Sequence, residues 1–317
     1  MKMTNVLSKA KNPVLSLEIT PPDRGRSVDE LFSAIEGLMD FAPKFISVTY
    51  HQPHTVYEEV NGIIRRRPKR KKPGTVGISA AIKNRYGVTT IPHLICGGFD
   101  RFETEDALID LHYLGMKNIL ALRGDPAPGH TRFVAEKDGH HYASELVTQI
   151  AAMNRGEYLD ELDNAVSTDF CIGVAGYPEK HAEAPNLEKD LAFLKQKVDA
   201  GADFIITQMF FGFDYFCHFV EKAREIGITV PIIPGIKPVT NRRQIEQIPR
   251  LFFATMPQEL VKAVEGAKTP AEAFNGGTRY MAKLVQQLLV FGVPGIHLFI
   301  QEKSDDSHAL LSAVFGS

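Results

Sequence analysis

The stretch KVDAGADFIITQMFF, residues 197–211, carries the two halves of one structural unit. Lys197 to Ala200 close a segment in which Leu191, Leu194 and Val198 recur at helical spacing, and Gly201 stops it. A glycine just past a helix accepts the left-handed conformation that ends it without a Cβ penalty. DFIITQMFF, residues 203–211, follows at once. It has the length and near-continuous apolar character of a strand buried on both faces, as parallel strands are. Helix, glycine, buried strand is the grammar of a repeated β-α unit.

The unit recurs along the chain. Comparable runs are VLSLEIT (14–20), FISVTY (45–50), TTIPHLIC (89–96), NILALRGD (118–125), DFCIGVAGYP (169–178), VPIIPGIKP (230–238) and GIHLFIQ (295–301), which makes eight strands in all. Between them lie helical patterns. Ser27-Val28-Asp29-Glu30 reads as a capping box ahead of Leu31, Ile35, Leu38 and Met39. Thr104-Glu105-Asp106 reads as a first turn ahead of Leu108, Leu111 and Leu114. Gly115, Gly227 and Gly292 repeat the stop seen at Gly201. Eight strands in strict alternation predict an α/β protein built as a closed (β/α)8 TIM barrel rather than an open doubly wound sheet. Irregular spacings mark insertions near 51–88, 126–168 and 239–294. No Gly/Ser-rich linker divides the 317 residues, so 1–317 is expected to form a single domain.

The chain is 44% hydrophobic and 23% charged with net charge −2, which favours neither nucleic acid nor an anionic membrane as partner. Cys96, Cys171 and Cys217 lie in apolar surroundings without a C-x-x-C, as expected of reduced thiols in a cytoplasmic protein. MKMTNVLSKAKNP has no apolar signal core, and no apolar run reaches the roughly 18 residues of a membrane span.

In such barrels chemistry gathers at the carboxyl ends of the strands. The runs deliver there Glu18, Thr49 and Tyr50, His93, Arg123 and Asp125, Tyr177 and Glu179 with His181 beyond, Thr207 and Gln208, Lys237, and finally Gln301 and Lys303. Each has a plainer reading. Glu18 serves as well to pair an interior base, His93 as a hydrogen-bonded core histidine, and Lys237 as a turn residue between Gly235 and Pro238. Lys237 also suits a Schiff-base aldolase. His51-Gln52-Pro53-His54 and His140-His141 lack the spacing or the carboxylates of a zinc site, so no metal is expected. No G-x-G-x-x-G follows a strand, which argues against a Rossmann site. RRRPKRKK, residues 65–72, reads either as a solvated loop or as a contact for cofactor or substrate phosphates.

The ordered set EITPP, FISVTY, PHLIC, ALRGD, AGYPEKH-x-EAPN, KVDAGADFIITQMFF and PIIPGIKPVTN resembles the methylenetetrahydrofolate reductase family in its short bacterial form, from about Leu15 to Lys303. The resemblance implies FAD held non-covalently in a barrel. It also implies NADH or NADPH as reductant, ping-pong conversion of 5,10-methylenetetrahydrofolate to 5-methyltetrahydrofolate for methionine synthesis, and a homo-oligomer. By motif, Glu18 falls on the catalytic glutamate. Thr49, Tyr50, His93, Arg123, Gly124, Asp125, Tyr142, Ala143, Tyr177, His181, Asp190 and Lys197 fall on cofactor positions, with Asp125 also on a catalytic one. Gln208, Gln244 and Lys303 fall on the substrate side. Lys303 stands where the enteric form carries arginine, and lysine lacks the bidentate fork for a carboxylate. Gln196 replaces a common basic residue, and the segment 51–86 is longer than in the enteric form.

Within that resemblance Glu18 is the general acid that opens the folate ring, with a pKa raised by an apolar rim. Asp125 contributes negative charge beside the flavin and pterin. The competing readings are the Schiff-base aldolase, another flavin barrel such as proline dehydrogenase, and a pterin- or nucleotide-binding module without catalysis.

Overall fold

The computed structural model describes residues 1–127, 130–300 and 304–316, except the side chains of residues 54, 55, 66 and 68. Among them are ten strands: β1 (Val14–Ile19), β2 (Phe45–Val48), β3 (His54–Val60), β4 (Ile63–Lys69), β5 (Thr89–Ile95), β6 (Asn118–Leu122), β7 (Cys171–Gly176), β8 (Phe204–Met209), β9 (Ile232–Ile236) and β10 (Gly295–Phe299). Eight of them, the eight expected, close into a parallel barrel in the order β1-β10-β9-β8-β7-β6-β5-β2. All but the first of the helices pack outside it. Gly115, Gly201, Gly227 and Gly292 all have positive φ, as their place after helices requires.

Period-2 alternation divides the strand residues between two cores. Leu15, Leu17, Ile19, Ile46, Val48, Ile119, Ala121, Ile172 and Val174 face outward into the large core shared with the helices. Val14, Phe45, Ile91, Leu120, Cys171, Phe204, Ile206 and Ile233 fill the inside of the barrel, together with Met3. Helix Met3–Lys9 plugs the floor. Its Met3 N–H donates to the Asn118 side chain at 2.6 Å, and that side chain donates in turn to the Met1 carbonyl at 2.8 Å. The polar opening segment therefore has a structural task that its composition does not announce.

Three local expectations change. Ser27 does cap helix Val28–Glu36, but only one way: it accepts from Asp29 N at 3.1 Å, while Glu30 pairs with Arg26. Reciprocal boxes form instead at Asp100 with Glu103 and at Asn241 with Gln244. The helix assigned to Thr104 onward accordingly starts at Arg101. The basic run is a loop only at its end, residues 70–72. Residues up to Lys69 belong to β4, which pairs antiparallel with β3 in a hairpin. Asn61 and Gly62, at φ 53 and 75, make the two-residue turn that suits twisted strands.

Candidate active site

The inward columns that start apolar end polar. Along β1 Val14 is followed by Ser16 and Glu18, along β2 Phe45 by Ser47, along β5 Ile91 by His93, and along β10 Gly295 by His297. Parallel register sets Ser16 beside His297 and Glu18 beside Ser47. The result is a wired group at the barrel mouth. His297 Nε2 lies 3.1 Å from Glu18 Oε2, and His297 Nδ1 lies 3.0 Å from Ser16 Oγ. With Glu18 ionised, the imidazole donates through Nε2–H to the carboxylate and accepts the Ser16 hydroxyl proton at Nδ1. His93 Nε2 stands 3.5 Å from the same carboxylate oxygen.

Charge corrects one expectation. Burial pushes the Glu18 carboxyl up, but the attraction of His93 and His297 when protonated, the His297 hydrogen bond and the Lys237 charge outweigh it, and the net shift is downward. The apolar rim alone does not set this group. Burial takes His93 down to about 4 and Lys237 down to about 8, the latter resisted by Asp306 and then Glu18. Near neutral pH the cluster therefore holds an anionic Glu18, a neutral His93 and a cationic Lys237.

Three buried polar atoms around this group lack a hydrogen-bond partner among the described residues: Ser47 Oγ, Tyr50 Oη and His93 Nε2. Such atoms are costly unless something else satisfies them, and a polar ligand over the mouth is what they fit. The Tyr50 ring packs against Phe99 at 5.1 Å. Thr49, next to Tyr50, has its Oγ1 3.4 Å from that of Thr20.

A cleft of about 350 Å³ opens beside the mouth at the ends of β6 and β7. Arg123, Tyr142, Ala143, Tyr177, His181, Asp190 and Lys197 all line it, as does Gln196. Its polar groups are held in place. Arg123 pairs with Glu183 at 2.6 Å and lies over the Phe133 ring. Asp190 accepts from His181 N at 2.9 Å, and Lys197 Nζ donates to the Ala175 carbonyl at 2.6 Å. Burial raises the Asp190 carboxyl, lowers His181, and brings Lys197 down to about 8. Helix Ala143–Met153 presents its amino-terminal residues Ala143 and Ser144 to the cleft, and such an end favours a phosphate.

ALRGD joins cleft to mouth. Gly124 has φ +87, and a Cβ there would stand 3.2 Å from the Ile95 side chain, so both conformation and space call for glycine. Asp125 is exposed on the rim, and its main-chain carbonyl accepts from Gln52 Nε2 at 2.9 Å.

On the substrate side the placements differ. Gln208 lies in a register irregularity between Ile206 and Met209, with its Oε1 accepting from Met209 N at 2.9 Å. Bulges of this kind re-aim side chains near active sites. Gln244 lies in the first turn of helix Arg242–Phe252. Its Oε1 is occupied by the N–H groups of Thr240 and Asn241, at 2.7 and 3.2 Å, and its amide meets Asp306. Asn241 caps the helix, and Gln244 closes the box from the third helical position. Lys303 lies outside the described residues. His297, Ser16, Ser47 and Glu183 were missed from sequence; the inward parity of GIHLF and LSLE was the available signal for the first two.

The family's sequence pattern, methylenetetrahydrofolate reductase, matches residues 2–314. The chain belongs to the methylenetetrahydrofolate reductase family. It is 33% identical over 296 residues to a probable methylenetetrahydrofolate reductase (NADH) of Oryza sativa, covering 90% of this chain and 45% of that one. It thus spans about half the length of such plant relatives. The 5,10-methylenetetrahydrofolate reductase of Escherichia coli is 31% identical over 297 residues, covering 93% of this chain and 88% of that one, which agrees with the short bacterial type. In fold, the chain is similar to a protein from Clostridium thermocellum that binds two copies of 5-methyl-5,6,7,8-tetrahydrofolic acid. The TM-score is 0.57 at 13% identity, with 98% of this chain and 96% of that one covered. A barrel oxaloacetate acetylhydrolase reaches a TM-score of 0.51 at 11% identity. These last likenesses concern architecture alone.

Proposed function

We propose that this chain reduces 5,10-methylenetetrahydrofolate to 5-methyltetrahydrofolate with NADH or NADPH through bound FAD, as a cytoplasmic homo-oligomer of single-domain subunits that supplies methyl groups for methionine synthesis. The observation that carries the reading is Glu18, wired to His297 and Ser16 and ringed by unpartnered buried polar atoms at the mouth of a family-matched barrel. Those atoms, on Ser47, Tyr50 and His93, fit the polar edge of a ring system laid over the mouth. The cleft of Arg123, Tyr142, Ala143, Tyr177, His181, Asp190 and Lys197 fits the nucleotide end of the same cofactor, with Gly124 between them. FAD bound there supplies hydride transfer from NAD(P)H to the methylene carbon of the folate.

The protein's own work is protonation, orientation and exclusion of water. The methylene bridge spans two nitrogens, and one must be protonated before its bond to carbon breaks. Glu18 is the acid at hand. It is ionised in the free protein. Burial is the largest influence on it, and its side chain is still 16% exposed. A pterin seated on the rim removes that remaining water, which strengthens the burial and raises the proton affinity when the proton is needed. His297, fixed by Ser16, aims the carboxylate. Asp125 and Gln208 stand at the rim as the charge and the amide that meet the stacked rings. Lys303 is a candidate for the folate carboxylates by its place after β10.

The test is anaerobic stopped-flow of the purified protein reconstituted with FAD. The flavin should bleach with NADH or NADPH and recover on adding methylenetetrahydrofolate. A protein that binds no FAD, or a reduced flavin that the folate does not reoxidise, ends the proposal. Borohydride trapping of a carbonyl substrate on Lys237 would favour the aldolase reading instead.

A further inference from the structure

Lys237 has no part in the chemistry above, yet it is buried to 6% exposure at the end of β9. Register says where it stands. Gly235 pairs with His297 and Ile236 with Leu298, so Lys237 comes one residue later, level with Phe299. Phe299 pairs in turn with Glu18 on β1. Parity says which way it faces. Ile233 belongs to the barrel interior, and a Cβ on Gly235 would stand 2.6 Å from the Phe299 ring. Lys237 continues that column, so it leaves β9 on the same inward side as Glu18 leaves β1. The opposite charges acting on it are Asp306, in the first turn of helix Asp305–Phe315, and then Glu18. No ion pair among the described residues includes it, so its charge is shared between two carboxylates rather than spent on one contact.

We propose that Lys237 is a positioning residue for the proton on Glu18: its buried charge, shared with Asp306, holds Glu18 ionised until folate is seated and so sets the pH range in which the ring-opening proton is available. This rests on the reading of Glu18 as general acid. The titratable groups facing the cluster are Glu18 on β1, His51 just after β2, His93 on β5, His297 on β10 and Asp306 on the last helix. Lys237, brought down to about 8 by burial, is still mostly charged at neutral pH. Removing the lysine charge raises the proton affinity of Glu18.

The experiment is a carbon-13 NMR titration of the full chain labelled at the glutamate side-chain carboxyl, with the Glu18 signal assigned by its loss in Glu18→Gln. In Lys237→Met the Glu18 midpoint should rise by about one pH unit or more, and Lys237→Arg should restore it. With FAD bound, the pH at which folate reduction fails should rise in Lys237→Met, while flavin reduction by NAD(P)H keeps its profile. A Glu18 midpoint that stays put in Lys237→Met overturns the proposal. Should that variant not fold, an unmoved midpoint in Lys237→Gln does the same. Full folate turnover by Glu18→Gln would strike the general-acid reading instead, and the NMR coupling between Lys237 and Glu18 would still be measured independently.

Discussion

The floor and the mouth of this barrel are built from the same inward columns, only two residues apart. At the floor Val14, Phe45, Ile91, Phe204 and Ile233 pack around Met3, and among the described residues none of these side chains carries an unpartnered polar atom. At the mouth the next inward positions are Ser16 and Glu18, Ser47, His93 and His297, with three buried polar atoms unpartnered among the described residues. A step of two residues, about 6.6 Å along a strand, separates packing that stabilises from polarity that costs stability. The division explains why a barrel tolerates a chemically strained mouth: the floor, which substrate never reaches, supplies the cohesion.

The largest expected effect is at the mouth. Glu18→Gln keeps the shape and removes the acid, so folate reduction should fall by about 10²–10⁴-fold. FAD binding and NAD(P)H oxidation should survive, as read by the two half-reactions separately. At the floor Phe204→Ala should cost about 3–5 kcal/mol of folding free energy in urea titration. Phe204 is fully buried, and its ring lies so close that a Cβ on Gly173 would be 2.4 Å away. The folded fraction should keep its half-reactions. A Phe204→Ala protein of normal stability but without flavin would break the division of labour between the two layers.

How far this was legible follows from the same contrast. The eight strands could be read because each is apolar on both faces, so a run of Val, Ile and Phe announces it whatever its register. Residues at strand ends, such as Glu18, Arg123 and Gln208, could be nominated by position. His297 and Ser16 could not be nominated that way, because each sits mid-strand among apolar neighbours, and only inward parity with Glu18 marks them. The β3–β4 hairpin was hidden by its charge. RRRPKRKK reads as solvated, although the Asn61-Gly62 pair ahead of it was a turn signal between Val60 and Ile63. The influence of Asp306 on Lys237 has no local signature at all, since it arises only when the end of β9 and the last helix come near each other.

Acid should weaken the mouth before the floor. His93 is buried and neutral, with its pKa taken from 6.5 to about 4. Between those values the unfolded chain binds a proton that the folded chain refuses, so stability falls as pH is lowered through that window. His93→Gln should remove part of this slope, on the order of 1–3 kcal/mol between pH 7 and pH 4. A stability profile unchanged by the substitution would mean that His93 is solvated enough to charge in place, and the mouth would be wetter than its geometry implies.

The smallest effect probes the seam between the layers. Ser16 lies one inward step above Val14, and its hydroxyl faces His297 Nδ1 at 3.0 Å. Its loss exposes no cavity of consequence but frees the imidazole to choose the other tautomer, which would turn an acceptor toward the Glu18 carboxylate. One neutral hydrogen bond contributes about 1 kcal/mol. Ser16→Ala should therefore slow folate reduction by roughly five- to ten-fold, leave NAD(P)H oxidation alone, and change folding stability by no more than about 1 kcal/mol. A large loss of stability with intact folate reduction would place Ser16 with the floor, and the boundary between the two layers would then lie at Glu18 rather than beneath it.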